Sequence, residues 1–194
     1  MIKKPILIVA GEPNSIFLEI FFKSIQKIKI KSPIILIASH KLLKLQMIKL
    51  NFKKKITILD YKNILNYKLD NKSINLVNVD YNVNKAFEKI SSKSNNYIKK
   101  SFEILTKYKF KKLINGPISK KSFLKKKYLG ITEYISEKFS INHNAMLIYN
   151  KSLSVSPITT HLPLKFVSRK INKKNIINKI KLISNFYKNY PNYF

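Results

Sequence analysis

The chain of 194 residues contains no cysteine and no tryptophan. The absence of cysteine excludes disulfide frameworks, thiolate zinc sites, iron–sulfur clusters and cysteine nucleophiles, and it fits a reducing compartment. Long hydrophobic runs are also missing, because lysines interrupt each apolar stretch before the roughly 18 residues that a membrane-spanning helix needs. The apolar run near the N-terminus is too short for a signal peptide. These absences predict a cytoplasmic protein with no membrane partner.

Acidic residues are scarce: 9 Asp and Glu stand against 39 Lys and Arg, for a formal net charge of +30. Such a charge is compatible with nucleic-acid binding. However, Arg169 is the single arginine, whereas base readout and bidentate phosphate recognition favour arginine over lysine. The lysines are spread along the whole chain, and the overused residue types all have AT-rich codons. We therefore expect weak electrostatic association and no specific nucleic-acid partner.

Glycine is depleted most, with 3 residues where average usage predicts about 14. Compositional drift has replaced nearly every dispensable glycine. The three glycines that remain should lie where φ is positive or where the backbone approaches a ligand closely. We therefore expect Gly11, Gly116 and Gly130 to mark phosphate-binding or other functional loops around one cleft.

The hydrophobic pattern predicts alternating strands and helices, since short continuous apolar runs are separated by segments with helical spacing. The predicted strands cover residues 5–10, 33–38, 55–59, 74–79 and 112–115, with a strand pair near 145–149 and 153–158. The predicted helices follow Asn14 or Ser15 as the N-cap, Ser39, Ser119 and Gly130, and span about 84–108 and 173–187. This order indicates an α/β fold with a mixed, mostly parallel sheet and flanking helices.

Three loops hold candidate binding residues, because open α/β sheets bind ligands beyond the carboxyl ends of their strands. The loop at Gly11 has neither a P-loop nor a dinucleotide fingerprint, so a plain turn explains it equally well. After Gly116 comes Lys120, which could reach a phosphate or lie in solvent. After Gly130 comes Thr132, which suits an anionic oxygen or serves simply as a helix N-cap.

His161 is the strongest single candidate. It follows two threonines after an apolar segment and precedes Leu162 and Pro163, so the pattern predicts an imidazole at a strand end. The sequence has no HExxH motif and no histidine cluster that would form a metal site alone. His161 is therefore either a functional residue or a structural histidine.

Four segments follow one another in a specific order. They are Gly11-Glu12-Pro13, Asn115-Gly116-Pro117-Ile118-Ser119-Lys120, Gly130-Ile131-Thr132-Glu133-Tyr134 and Thr159-Thr160-His161-Leu162-Pro163-Leu164. Together they resemble the N-terminal part of the 4-hydroxythreonine-4-phosphate dehydrogenase family, which is NAD-dependent and belongs to pyridoxal phosphate biosynthesis. The resemblance covers essentially this whole chain but only the front of the family's length. The chain is therefore expected to be C-terminally incomplete.

The resemblance implies an isocitrate/isopropylmalate-dehydrogenase-like fold of two α/β domains with the active site between them. Residues 1–128 would form the first domain and residues 129–194 the beginning of the second. The resemblance also implies a homodimer that uses NAD and a divalent metal, either zinc, magnesium or cobalt. Its substrate would be a small phosphorylated amino acid.

Position by position, the resemblance makes His161 the first of three metal-binding histidines and Thr132 a substrate-binding residue. Where this chain has Ile131, the family has a substrate-contacting histidine, and the isoleucine side chain cannot form a hydrogen bond. Ser15-Ile16-Phe17 likewise replaces the family's Gly-Ile-Gly. The family's other two metal histidines lie beyond the position of Phe194.

The implied reaction is oxidation, with decarboxylation, of 4-phosphohydroxythreonine to 3-amino-2-oxopropyl phosphate, with the metal as a Lewis acid. We expect this chain alone to be inactive or impaired. Two alternatives stay open: a related hydroxy-acid or diol dehydrogenase of the same family, and a non-catalytic remnant. A basic nucleic-acid-associated protein is the least favoured interpretation.

Overall fold

The computed structural model describes residues 4–82, 92–107, 112–125, 127–150 and 152–190. The chain divides into two compact units, Met1–Lys125 (unit 1) and Lys126–Phe194 (unit 2). The division falls near residue 128, where the resemblance places a domain boundary. That each unit is a domain of the implied kind stays a prediction. Of the helix predicted over 84–108, residues 84–91 and 108 lie outside the described residues.

Unit 1 is built on a five-stranded sheet. Its strands are β1 (Ile6–Val9), β2 (Ile34–Ala38), β3 (Ile56–Leu59), β4 (Ile74–Asn78) and β5 (Leu113–Asn115). They lie in the spatial order β3-β4-β2-β1-β5, and each pairing in this sheet is parallel. All five residues of β2 are buried, which explains its uninterrupted apolar sequence. The five strands predicted for this part of the chain are confirmed, and so is the α/β class with a mostly parallel sheet.

The described residues of unit 1 form three α-helices: α1 (Phe17–Lys27), α2 (His40–Lys49) and α3 (Ser92–Thr106). The predicted cap of α2 is confirmed, because the Ser39 hydroxyl accepts a hydrogen bond from the Leu42 N–H at 3.4 Å. The hydroxyl of Tyr97, on α3, accepts the buried Ser39 N–H at 3.0 Å. These bonds connect the carboxyl end of β2 to two helices. The core lies between these helices and the sheet, with Ile35, Leu36, Leu43, Leu76, Ile98 and Phe102 fully buried.

The N-cap of α1 differs from the prediction. Neither Asn14 nor Ser15 caps it, since the cap position is Ile16 and has no side-chain hydrogen bond. The Ser15 hydroxyl instead donates to the Glu12 carbonyl at 2.7 Å, which closes the preceding turn. The loop that follows β1 is therefore longer by a residue or two than the sequence pattern indicates.

Unit 2 contains the helices α4 (Ile131–Lys138) and α5 (Lys173–Asn189). The predicted last helix is confirmed, but the predicted strand pair is wrong, because one antiparallel bridge, Ile148 to Val155, stands in its place. The next bond of that ladder would need an N–H from Pro157, which has none. The Ser156 hydroxyl donates to the Met146 carbonyl at 2.7 Å instead. Among the described helices, none is long and apolar enough to cross a membrane.

Candidate functional site

The loops that follow β1 and β5 lie side by side, because these two strands are neighbours in the sheet. The Gly116 N–H donates to the Val9 carbonyl at 2.7 Å, and the Glu12 N–H donates to the Pro117 carbonyl at 2.8 Å. Two segments predicted to carry functional residues are thus joined by backbone hydrogen bonds at one edge of the sheet. This edge is where open parallel sheets bind ligands.

Gly11 and Gly116 are needed where these two backbones meet. Gly11 has a φ of +75°, and a Cβ atom there would lie 2.4 Å from the Pro117 carbonyl oxygen. A Cβ atom at Gly116 would lie 2.1 Å from the Ala10 carbonyl oxygen. The positive φ predicted for a surviving glycine is confirmed at Gly11. The close approach is to the backbone of the neighbouring loop. A phosphate role for these glycines stays a prediction.

Glu12 is a buried carboxylate between the two loops, with 7% of its surface exposed. Its Oε1 accepts a hydrogen bond from the Ser119 N–H at 3.2 Å. Its Oε2 is buried and has no hydrogen-bond partner among the described residues. Burial raises the pKa of the Glu12 carboxyl, and the hydrogen bond from Ser119 opposes that rise. Glu12 belongs to the segment Gly11-Glu12-Pro13, but the sequence alone indicates no role for its side chain.

Replacing Glu12 by Gln should change how stability depends on pH. Because the folded-state pKa of Glu12 is raised above its unfolded value of 4.5, its contribution is full below the unfolded pKa and is lost as pH rises through the folded pKa. Glutamine cannot ionise. The stability of Glu12→Gln relative to the wild type should therefore rise from acidic to neutral pH. Urea unfolding at several pH values measures this, and a pH-independent difference would contradict it.

Lys120 is the first residue of a short π-helix, Lys120–Leu124, whose N-cap Ser119 accepts a hydrogen bond from the Ser122 N–H at 3.3 Å. The predicted cap at Ser119 is confirmed. The Lys120 side chain is exposed and bonds to no other described residue. A role for Lys120 in phosphate binding stays a prediction.

In unit 2 the N-cap of α4 is Gly130, with an extended φ of −157°. The alternative that Thr132 caps this helix is therefore wrong. Ile131 and Thr132 are the first two residues of α4, and both are half-buried. Thr132 forms no side-chain hydrogen bond with another described residue. Its role in substrate binding stays a prediction.

Gly130 and His161 are brought together. A Cβ atom at Gly130 would lie 3.1 Å from His161 Nε2 and 2.9 Å from Glu133 Oε2. The imidazole and the carboxylate therefore face the same side of Gly130. His161 does not end a strand as predicted; it lies in a bend with a φ of +57°. A non-glycine residue seldom adopts this conformation, and such backbone strain is concentrated at functional sites.

The donors beside Gly130 fit one side of a divalent-cation site. His161 supplies an exposed imidazole, and Glu133 supplies an oxygen that is buried and lacks a hydrogen-bond partner within the described ranges. Imidazole and carboxylate are ligands that zinc and cobalt accept. However, the described part of the chain holds no group of three or more His, Cys, Asp or Glu residues that could hold a metal ion. A complete site needs donors beyond these two.

Acidic residues carried a signal that sequence reasoning missed. The chain has 9 of them, and Glu12 and Glu133 lie one and three positions after surviving glycines. Both have a buried oxygen with no hydrogen-bond partner among the described residues. Because acidic residues are scarce in this chain, as glycines are, the sequence alone could have pointed to these two carboxylates.

The parallel sheet and its flanking helices define a protein of the α/β class. Comparison with known families is more specific. The family model described as "Pyridoxal phosphate biosynthetic protein PdxA" matches residues 29–192. The chain belongs to this family, as the resemblance in its sequence indicates.

Two curated relatives are named 4-hydroxythreonine-4-phosphate dehydrogenase. The relative from Sulfurihydrogenibium sp. (strain YO3AOP1) is 31% identical over 188 residues, which cover 93% of this chain and 57% of the relative. The relative from Aquifex aeolicus (strain VF5) is 28% identical over the same shares. The chain therefore spans a little over half the length of the curated relatives that it matches.

Solved structures support the fold. A 4-hydroxythreonine-4-phosphate dehydrogenase from Klebsiella pneumoniae superposes with a TM-score of 0.75 at 18% identity, covering 96% of this chain and 59% of the other. A putative enzyme of the same name from Salmonella typhimurium gives a TM-score of 0.76 at 18% identity, covering 96% and 60%. At these identities the likeness concerns the fold alone, and it confirms the predicted α/β class.

Proposed function

We propose that this chain provides the N-terminal part of a 4-hydroxythreonine-4-phosphate dehydrogenase. The reaction is the NAD-dependent oxidation, with decarboxylation, of 4-phosphohydroxythreonine to 3-amino-2-oxopropyl phosphate. The family match over residues 29–192 carries the proposal. The approach of His161 to Gly130 supports it, because it joins two of the four segments on which the resemblance rests. The chain alone is expected to be inactive or impaired.

Within this proposal, His161 would help to hold a divalent cation, with Glu133 nearby, and residues outside the described set would supply further ligands. When bound, such a cation would polarise the hydroxyl oxygen of the substrate. Thr132, in the first turn of α4, would donate its hydroxyl to a substrate oxygen. The described loops of unit 1 offer no cradle for the NAD pyrophosphate beside Gly11 and Gly116, so no residue of theirs is assigned to the cofactor.

The test is a chimera in which this chain is followed by the remaining C-terminal length of the Sulfurihydrogenibium relative. We expect NADH formation from NAD and 4-phosphohydroxythreonine that requires a divalent cation. His161→Ala in the chimera should lower activity at least about 100-fold and should weaken cation binding in calorimetry. The C-terminal segment alone is the control. A folded chimera that forms no NADH, or an active His161→Ala chimera, would contradict the proposal.

Ile131 favours a second candidate, a related hydroxy-acid or diol dehydrogenase. Its side chain is half-buried at the first position of α4 and offers no hydrogen bond where the family has a histidine. The same chimera distinguishes between the two candidate functions. If Ile131→His raises kcat/KM for 4-phosphohydroxythreonine while wild-type Ile131 is faster on a less polar hydroxy acid, the second candidate holds.

The assembly proposed for the full length is a cytoplasmic homodimer. Its support is the family membership, together with lysines that interrupt every long apolar stretch of the sequence. Light scattering of the chimera measures the mass directly. A monomer at micromolar concentration would remove the dimer from the proposal and leave the reaction untouched.

A further inference from the structure

Glu133 lies in a segment that carries the family resemblance, but the resemblance implies no role for its side chain. Residues 126–194 contain two acidic side chains, Glu133 and Glu137, both on α4 and one turn apart. Their surroundings differ. Glu137 is exposed and accepts a hydrogen bond from the Tyr128 hydroxyl at 2.5 Å, with Lys127 Nζ at 3.5 Å. Glu133 is half-buried, and the ion pairs between described residues do not include it.

The two carboxylate oxygens of Glu133 face different neighbours. Oε1 accepts a long hydrogen bond of 3.4 Å from the hydroxyl of Thr160, the residue before His161. Oε2 has no hydrogen-bond partner among the described residues and lies on the same side of Gly130 as His161 Nε2. One carboxylate thus contacts the segment that carries the histidine and also faces the space in front of its imidazole.

We propose that Glu133 is a positioning residue for His161. Its Oε1 restrains Thr160, and through it the left-handed backbone at His161, while its Oε2 limits where the imidazole can turn. The inference rests on the proposed function in one respect, the role of His161 as a cation ligand. It adds a carboxylate that orients this ligand and supplies negative charge beside it.

Charge gives a second reason for a carboxylate at this place. A divalent cation is repelled by a chain of net charge +30, and like charges act over about 10 Å at moderate ionic strength. A carboxylate on the same side of Gly130 as Nε2 lowers the local positive potential where the cation would bind. Carboxylates that orient metal-binding histidines change metal affinity by roughly 10- to 100-fold.

The position of the imidazole can be measured without any metal. In the chain itself, nuclear Overhauser effects between the His161 ring protons and the Gly130 Hα protons should be present. They should be lost or strongly reduced in Glu133→Ala and weakened in Thr160→Val, which removes the hydroxyl and keeps the shape. Glu137→Ala, the control on the same helix, should retain them. Unchanged effects in Glu133→Ala would overturn the proposal.

The effect of the Glu133 charge on cation binding is measured with cobalt in the chimera. Glu133→Gln keeps the shape and the acceptor for Thr160 but removes the negative charge, and it should weaken cobalt binding about tenfold. Glu137→Gln should bind cobalt as the wild type does. Equal binding by Glu133→Gln and the wild type would overturn the electrostatic role. If His161→Ala binds cobalt as tightly as the wild type, the proposed ligand has failed, and the metal-free ring contacts still decide whether Glu133 positions His161.

Discussion

Gly116→Ala should destabilise unit 1 by about 3 kcal/mol or more, since an added methyl group in a packed interior forces backbone shifts. The new Cβ atom would lie 2.1 Å from the Ala10 carbonyl oxygen and 2.7 Å from its carbonyl carbon. Both are backbone atoms at the carboxyl end of β1, so they cannot turn away. Such a loss is a large fraction of a typical domain stability of roughly 5–15 kcal/mol.

Urea unfolding followed by circular dichroism measures this loss, and tyrosine fluorescence provides a second probe because the chain has no tryptophan. Gly130→Ala is the matched control. The atoms nearest to its Cβ are the ends of the Glu133 and His161 side chains, which can move, and its extended φ suits any residue. Its stability should stay within about 1 kcal/mol of the wild type. Equal unfolding midpoints for Gly116→Ala and the wild type would contradict the packing described for β1 and β5.

The strands of unit 1 could be predicted because strands buried on both faces have a simple sequence pattern, a continuous apolar run such as residues 34–38. The start of α1 could not be predicted in the same way. Ser15 could cap the helix or close the preceding turn, and which of these it does depends on the hydrogen bond of its hydroxyl to the Glu12 carbonyl. The sequence does contain the reason why the strand pair predicted in unit 2 does not form. Pro157 lacks the N–H that the next ladder bond requires.

Depletion of glycine selected Gly11, Gly116 and Gly130, where an added side chain would meet other atoms closely. It could not distinguish approach to a ligand from approach to another loop, because that depends on which strands are neighbours, and the pairing of β1 with β5 spans more than 100 residues of sequence. The carboxylates are also scarce, and Glu12 and Glu133 closely follow two of these glycines. The structure adds that each has a buried oxygen with no hydrogen-bond partner among the described residues.

Gly130→Ala should have its main effect on binding rather than on folding. The added Cβ atom would be 2.9 Å from Glu133 Oε2 and 3.1 Å from His161 Nε2, so both side chains must move away from the helix N-cap. Because ligand geometry tolerates little displacement, cobalt affinity of the chimera should fall about tenfold or more. In the chain alone, the ring resonances of His161 should shift without any loss of helix signal.

Leu129→Ala is the control for this second prediction, since Leu129 precedes Gly130 in the chain and is 53% exposed. It should leave the cobalt affinity and the His161 resonances unchanged. The two glycine variants therefore test two different properties, stability and cation binding. The new methyl group of Gly116→Ala meets backbone atoms and should reduce stability, whereas that of Gly130→Ala meets the side chains of Glu133 and His161 and should reduce cation binding. If Gly130→Ala binds cobalt as the wild type does and leaves the His161 resonances in place, the imidazole does not depend on the open face of Gly130, and the arrangement of Gly130, Glu133 and His161 carries no binding function.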